Sequence, residues 1–344
     1  MQLMDLIQDQ YKIVSVVGMA KNAGKTVTLN QLIDEAMEKQ IRIGITSTGR
    51  DGESQDLVTN TEKPTIYVDE GTLIATTEGT FKYAEAKLEI LEVTDFNTSM
   101  GRIVIVQAKT SGNVQIAGPN TNREVREISQ KLLQYGAKLV IVDGAIDRIS
   151  SASPAVTEAT ILSTGAVLSR DMNKVIEKTM HQVQLFSLPE VEDDLIKDLA
   201  NSIIEEKGYC IIDEDNQVTT LEIKTALNSG EIIGRALTDT TKYVVIGGSL
   251  VSNTLKKIIE TTRKYKQITF IVKDATKIFI SSKDWLFFKK AGVQIQVVEK
   301  IQPLAVTINP YAPQGYYYQP EEFLAKMKQF LNPIPVFDVV LGGE

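Results

Sequence analysis

The sequence predicts an α/β fold built on a mainly parallel sheet, with a β-rich insertion and a second, smaller α/β domain. Three observations predict it. Short apolar, β-branched runs alternate with longer stretches of helical apolar periodicity. The first of those runs, residues 12–17, is apolar almost throughout, as a strand covered on both faces must be. A glycine-containing loop and then a helix-forming segment follow it directly.

The elements are read in order. Residues 25–39 place Val27, Leu29, Leu32, Ile33 and Met37 on a helical stripe. A strand at 42–46 opens into the polar loop 47–54. From 65 to 116 the pattern turns β-rich, with strands expected at 65–68, 88–93 and 102–108, an antiparallel insertion or extension covering about 60–118. Alternation then resumes with a helix at 122–134, a strongly apolar strand at 138–142, and helices at 153–162 and 171–182. Residues 185–234 carry the acidic clusters 190–194 and 213–215 with little long apolar patterning, and read as a junction. A fresh α/β unit follows: strand 243–246, turn Gly247-Gly248, helix 251–265, strand 268–272, helix 283–291, strand 293–298, helix 321–331 and a tail strand at 336–341. The expected division is a first domain over 1–190, a linker over 191–235, and a C-terminal α/β domain over 236–344, with extension of the first sheet as the alternative for that last unit.

Composition narrows the chemistry. With 344 residues, 43% hydrophobic and 24% charged, the chain has the balance of a globular protein with a large core. A net charge of −7 offers no electrostatic footprint for nucleic acid, so no such partner is expected. One cysteine, Cys210, excludes an internal disulfide, and one histidine, His181, excludes a His-rich metal site. The first ten residues lack a positive region followed by an apolar run, and no apolar stretch approaches the ~20 residues of a membrane helix. A cytoplasmic protein without a membrane partner is the expectation. Cys210 reads as a small buried residue, His181 as an ordinary helix residue, and Trp285 to Phe288 as packing. Tyr311 and Tyr316, Tyr317 and Tyr318 lie in a proline-punctuated loop that no core requires, a candidate surface for a partner or a flat ligand.

The strongest signal is Val16-Val17-Gly18-Met19-Ala20-Lys21-Asn22-Ala23-Gly24-Lys25-Thr26, followed by Val27. Placed between a strand and a helix, it is a phosphate-binding loop, or P-loop. Loop amides and the positive end of the helix converge on an anion. Gly24 lets the backbone approach a phosphate closely, Lys25 sets its ammonium against β- and γ-phosphate oxygens, and Thr26 offers a hydroxyl to Mg²⁺. Five residues separate Gly18 from Gly24, where the common form has four. The expected ligands are ATP and Mg²⁺.

Two carboxylate groups are candidates for the metal, both after strands, where open α/β sheets hold their ligands. Asp143 ends the apolar run Val140-Ile141-Val142, the Walker B layout. The loop Ser47-Thr48-Gly49-Arg50-Asp51-Gly52-Glu53 offers Asp51 as metal or water ligand, Glu53 in reserve, and Arg50 against charge developing on the γ-phosphate; Asp51-Gly52 is equally a good turn dipeptide. Loops 107–112 and 146–148 are further candidates to face the crevice. No Asn-Lys-x-Asp run, the guanine-selecting motif, occurs in the chain, which favours ATP over GTP.

The loop resembles those of the dethiobiotin synthetase-like P-loop proteins, which share the longer spacing, and of the molybdopterin-guanine dinucleotide accessory proteins. In some members of that class an early loop lysine reaches a partner's nucleotide across a dimer. Lys21 occupies a comparable place, with a solvated loop lysine as the alternative, and a homodimer is a corresponding expectation. The chain as a whole is similar to the P-loop subunit of the lysine 5,6-aminomutase reactivases. The segments 18–26, 47–53, 143–148, 153–159, 169–174 and Asn309-Pro310-Tyr311 carry that likeness. The resemblance implies an ATPase that opens an adenosylcobalamin-dependent amino-acid mutase, of lysine or ornithine type, so that damaged cobalamin leaves, working with a second reactivase subunit. The alternative is a ligase or kinase that uses ATP on a small molecule.

Overall fold

The computed structural model describes residues 1–49, 66–144, 152–223 and 228–340. The chain divides into two compact units, Met1–Thr179 together with the chain from Gln302 onward, and Met180–Ile301.

The first unit begins with β1 (Ile13–Gly18), α1 (Lys25–Glu38), β2 (Ile43–Ser47), β3 (Ile66–Val68), β4 (Leu73–Thr77) and α2 (Glu78–Phe81). It continues through β5 (Leu88–Thr98), β6 (Gly101–Ala108), β7 (Gly112–Val114), α3 (Asn122–Gln134), β8 (Leu139–Asp143) and β9 (Ala159–Gly165), and the chain leaves it within α4 (Met172–Phe186). The second unit holds α5 (Asp194–Glu205), β10 (Tyr209–Asp213), β11 (Val218–Leu221), α6 (Ser229–Ala236), β12 (Thr241–Ile246), β13 (Leu250–Val251) and α7 (Ser252–Thr261). It ends with β14 (Thr269–Val272), β15 (Ile278–Phe279), α8 (Ser282–Ala291) and β16 (Gln294–Val297). The first unit is completed by β17 (Pro303–Asn309), α9 (Pro320–Leu331) and β18 (Val336–Asp338).

Its main sheet runs β18-β17-β9-β1-β8-β2-β4-β6-β5. From β18 to β4 every neighbouring pair is parallel; β6 and β5 close the far edge antiparallel. This is the mainly parallel α/β sheet that the sequence predicts, with the antiparallel hairpin as the β-rich extension. Both faces are covered. Val14, Val16, Leu139 and Ile141 pack with Leu29, Leu32 and Ile33 of α1, while Ile13, Val140 and Val142 pack with Val125, Ile128 and Leu132 of α3. Alternate residues of β1 and β8 thus feed two cores, which explains their unbroken apolar runs. The α3 N-terminus is fixed by a capping box between Thr121 and Glu124.

Three expectations change. Residues 153–162 do not form a helix. From Ala159 they are β9, buried beside β1, and its Thr160, Ser163 and Thr164 interrupt the apolar pattern that marks a central strand. Those hydroxyls are satisfied internally: Thr160 Oγ1 lies 2.8 Å from Ser15 Oγ, and Thr164 Oγ1 lies 2.9 Å from Thr179 Oγ1. The chain from Gln302 onward does not join the C-terminal domain but takes the alternative and extends the first sheet, because β17 pairs with β9 and β18 with β17. Residues 191–235 are not a linker, since Ile196 and Ala200 of α5 and Cys210 and Ile212 of β10 are buried in the second unit's core. Leu73–Thr77, which the sequence pattern did not single out, is a fully buried parallel strand next to β2.

The second unit has a five-stranded sheet, β11-β10-β12-β14-β16, in which β12, β14 and β16 run parallel and β10 opposes them. Trp285 and Phe288 are buried as packing residues, whereas Leu286 and Phe287 of the same helix are exposed. His181 is a structural residue here: Nε2 lies 2.8 Å from the Ile280 carbonyl and the ring meets Trp285 edge-on. Cys210 is fully buried, and burial pushes its thiol up to about 11. At pH 8 its thiolate is therefore about one part in a thousand. Treating the native protein with a thiol-specific disulfide reagent at that pH should release no colour over an hour, and one equivalent immediately after unfolding in guanidinium. Rapid native reaction would contradict the burial.

Candidate functional site

The parallel strands deliver their carboxyl ends to one edge, where β1 hands the chain to α1. The loop 19–24 turns on two left-handed residues, Asn22 (φ 62°) and Gly24 (φ 99°). Gly24 is the N-cap of α1 and contributes no side-chain cap, so the first-turn amides are left for another partner. A Cβ on Gly24 would sit 3.1 Å from Asn309 Cβ, besides forcing a strained backbone. The loop is anchored from both sides. Met19 N donates to the Ser163 carbonyl of β9 at 2.9 Å, and Asn309 Nδ2 donates to the Asn22 carbonyl at 3.3 Å. Beneath it, a buried hydroxyl cluster ties α1 to β9 and β17: Thr28 Oγ1 lies 2.7 Å from Thr307 Oγ1 and 3.1 Å from Ser163 Oγ.

Lys25 opens α1 and reaches across to β8, the immediate neighbour of β1. Its Nζ lies 2.8 Å from Asp143 Oδ1 and also donates to the Gly144 carbonyl. Both side chains are largely buried, at 15% and 20% exposure. The Asp143 Oδ1 atom is itself inaccessible and accepts no well-aligned hydrogen bond, so the contact with Lys25 is chiefly Coulombic. A buried carboxylate oxygen with acceptor capacity to spare faces the ammonium of Lys25 at the start of α1. Thr26 is half-buried in the same helical turn, while the Val27 side chain is exposed and can offer only its amide. Met19, Ala20 and Lys21 are half-buried along the loop, Ala23 is buried and Asn22 exposed.

The second predicted loop leaves the sheet beside this pair. Ser47, the last residue of β2, is in register with Asp143, and Thr48 N donates to the Asp143 carbonyl at 3.0 Å. Gly49 N donates to the Pro119 carbonyl at 2.6 Å, and Gly118 packs so tightly on Ser47 that a Cβ would fall 1.6 Å from its carbonyl oxygen. Arg50, Asp51 and Glu53 lie outside the described residues, as does 146–148. Loop 107–112 is not at this edge. Because β6 runs against β4, Gln107 pairs with Leu73 at the amino end of the parallel strands, and Lys109 is engaged with Glu89 there. Among the described residues no three His, Cys, Asp or Glu side chains cluster as metal ligands, and no helix is long and apolar enough to cross a membrane.

Sequence reasoning missed Ser163, Thr307 and Asn309, which brace the loop from β9 and β17. The Asn309-Pro310 step after an apolar run was the available signal, but nothing in the chain order says that β17 returns to the first sheet.

No family model matches the chain, and no curated protein matches it. Among solved structures, it is similar to the kinase domain of the Escherichia coli tyrosine kinase ETK, at 16% identity and a TM-score of 0.30, over 53% of this chain and 65% of that one. It is also similar to the signal recognition particle receptor FtsY from Elizabethkingia anophelis, at 11% identity and a TM-score of 0.27, over 94% of this chain and 68% of that one. Neither likeness is close.

Replacing Gly24 by alanine adds a side chain in a left-handed conformation and presses on Asn309. Stability to urea should fall by about 1–2 kcal/mol; an unchanged midpoint would show that the loop relaxes freely.

Proposed function

We propose that the chain binds a nucleoside triphosphate with Mg²⁺ on the loop 18–26 and hydrolyses it. The observation that carries this reading is the Lys25–Asp143 pair: a phosphate-seeking ammonium at an uncapped helix N-terminus, held against a buried carboxylate on the adjacent strand. The residues suit the ligand. Amides of Gly24, Lys25, Thr26 and Val27 face an anion at the positive end of α1. Thr26 and Asp143 would hold the metal, with Asp51 and Glu53 from the loop after β2 as further candidates. Bound magnesium supplies charge neutralisation at the β- and γ-phosphate oxygens. Lys25 would exchange Asp143 for those oxygens, Arg50 would oppose charge on the γ-phosphate, and Asp51 would orient the attacking water. The absence of an Asn-Lys-x-Asp run supports ATP as the nucleotide.

The finer reading rests on the family resemblance of the sequence. The protein acts as the ATPase subunit of a reactivating chaperone for a cobalamin-dependent aminomutase, with a second subunit and a homodimer as expected associations. Such coupling requires the ATP and ADP states to bind the mutase with different free energies. The γ-phosphate, which Lys25 would contact, is the natural switch.

Three measurements test this. Lys25→Ala should abolish ATP binding in calorimetry while circular dichroism stays unchanged; equal affinity would remove the site. Asp51→Asn should lower the rate of phosphate release about 100-fold with less effect on ATP affinity, and an unchanged rate would retire that role. Phosphate release by the wild type should accelerate when inactivated aminomutase is added. Release that instead requires and consumes a small carboxylate would establish the ligase alternative.

A further inference from the structure

Residues 310–318, directly after β17, form a small hairpin that the triphosphate site leaves unused. Tyr311 and Tyr317 are opposed across an antiparallel bridge, closed by hydrogen bonds from Ala312 N to the Tyr316 carbonyl and from Tyr318 N to the Pro310 carbonyl. Opposed residues point to the same face of a hairpin. Their rings accordingly lie 5.9 Å apart with a tilt of 35°, and both are exposed, at 41% and 62%.

The intervening tyrosines have the opposite role. Tyr316 donates its hydroxyl to the Ala166 carbonyl at 2.6 Å and lies under the Arg170 guanidinium. Tyr318 is buried, donates to the Ser169 carbonyl, and packs edge-on against Phe323. Two rings therefore pin the hairpin to the segment after β9, and two face solvent side by side. Fixing exposed aromatic surface in one orientation lowers the entropic cost of stacking a flat ligand upon it.

The position of this face identifies the ligand. Asn309 links it to the phosphate loop through one side-chain amide: Nδ2 donates to the Asn22 carbonyl at 3.3 Å, and Oδ1 accepts from Tyr311 N at 3.0 Å. The ends of β17, β9 and β1 share the sheet edge, with Asn309 in register with Gly165 and Ser163 with Gly18. We propose that Tyr311 and Tyr317 form the stacking face for the purine base of the nucleotide whose phosphates occupy the loop 18–26. The inference rests on the triphosphate reading above. Stacking on a π-face is tolerant of base identity, so the pair supplies affinity for a purine and leaves the choice between adenine and guanine to other groups.

The test uses the full chain, Mg²⁺, and two ligands in calorimetry: ATP and inorganic tripolyphosphate, which has no base. The Y311A/Y317A variant should bind ATP at least about tenfold more weakly and tripolyphosphate as tightly as the wild type does. The Y311F/Y317F variant, which keeps both rings, should retain wild-type affinity for ATP. Unchanged ATP affinity in the alanine variant would overturn the proposal. Equal weakening for both ligands would also overturn it, since the hairpin would then only brace the loop. A wild type that binds neither ligand would strike at the triphosphate reading itself, a failure distinct from that of the stacking face alone.

Discussion

Neighbouring strands from β18 to β4 all run in one direction, and that single constraint assembles the site. Parallel strands cannot be joined by tight turns, so each connection crosses a face of the sheet and each carboxyl end opens into a loop on the same edge. Gly18, Ser47, Asp143, Gly165 and Asn309 are the last residues of five such strands. Residues far apart in the sequence become neighbours without any of them having to reach. Lys25 needs only the width of one strand spacing to meet Asp143.

The pairing of those two side chains explains how a charged site is tolerated between two apolar cores. An isolated ammonium or carboxylate with so little exposure would be strongly destabilising. Opposed, they neutralise each other, and one donor of Lys25 is met by the Gly144 carbonyl. On the reading proposed above, an anion entering the loop would replace Asp143 as the lysine's partner, and a divalent ion would replace Lys25 as the carboxylate's. The two ligands would then complement each other electrostatically, a physical reason for that reading to pair a polyphosphate with a metal.

Legibility in the sequence followed the redundancy of the signals. Strand, loop and helix at 12–39 were readable because an unbroken apolar run, the Gly-Lys-Thr triplet and a helical stripe coincide within one segment. Asp143 was readable for the same reason, an acidic residue at the end of four apolar ones. By contrast β9 carries Thr160, Ser163 and Thr164, whose hydroxyls find partners only in the folded sheet, so its buried character is invisible to a hydropathy pattern. The segment Tyr209–Asp213 is as long as β8, but its acidic flanks conceal Cys210 and Ile212, both of them core residues. The bracing of the loop by Asn309 and Thr307 depends on topology alone: their separation from Asn22 and Thr28 exceeds two hundred residues, and no local preference encodes it.

The discontinuity of the first unit has a consequence for the order in which the chain is made. Residues 180–301 are contiguous, so the second unit has all its strands as soon as they emerge from a ribosome. The first unit does not: β9 lacks its outer neighbour until β17 appears, and the phosphate loop lacks Asn309 for just as long. During synthesis the middle of the chain can mature while the beginning waits with an open sheet edge, an exposed template for pairing with other strands. The loop after β1 is fully braced only once the chain has returned to the sheet it began.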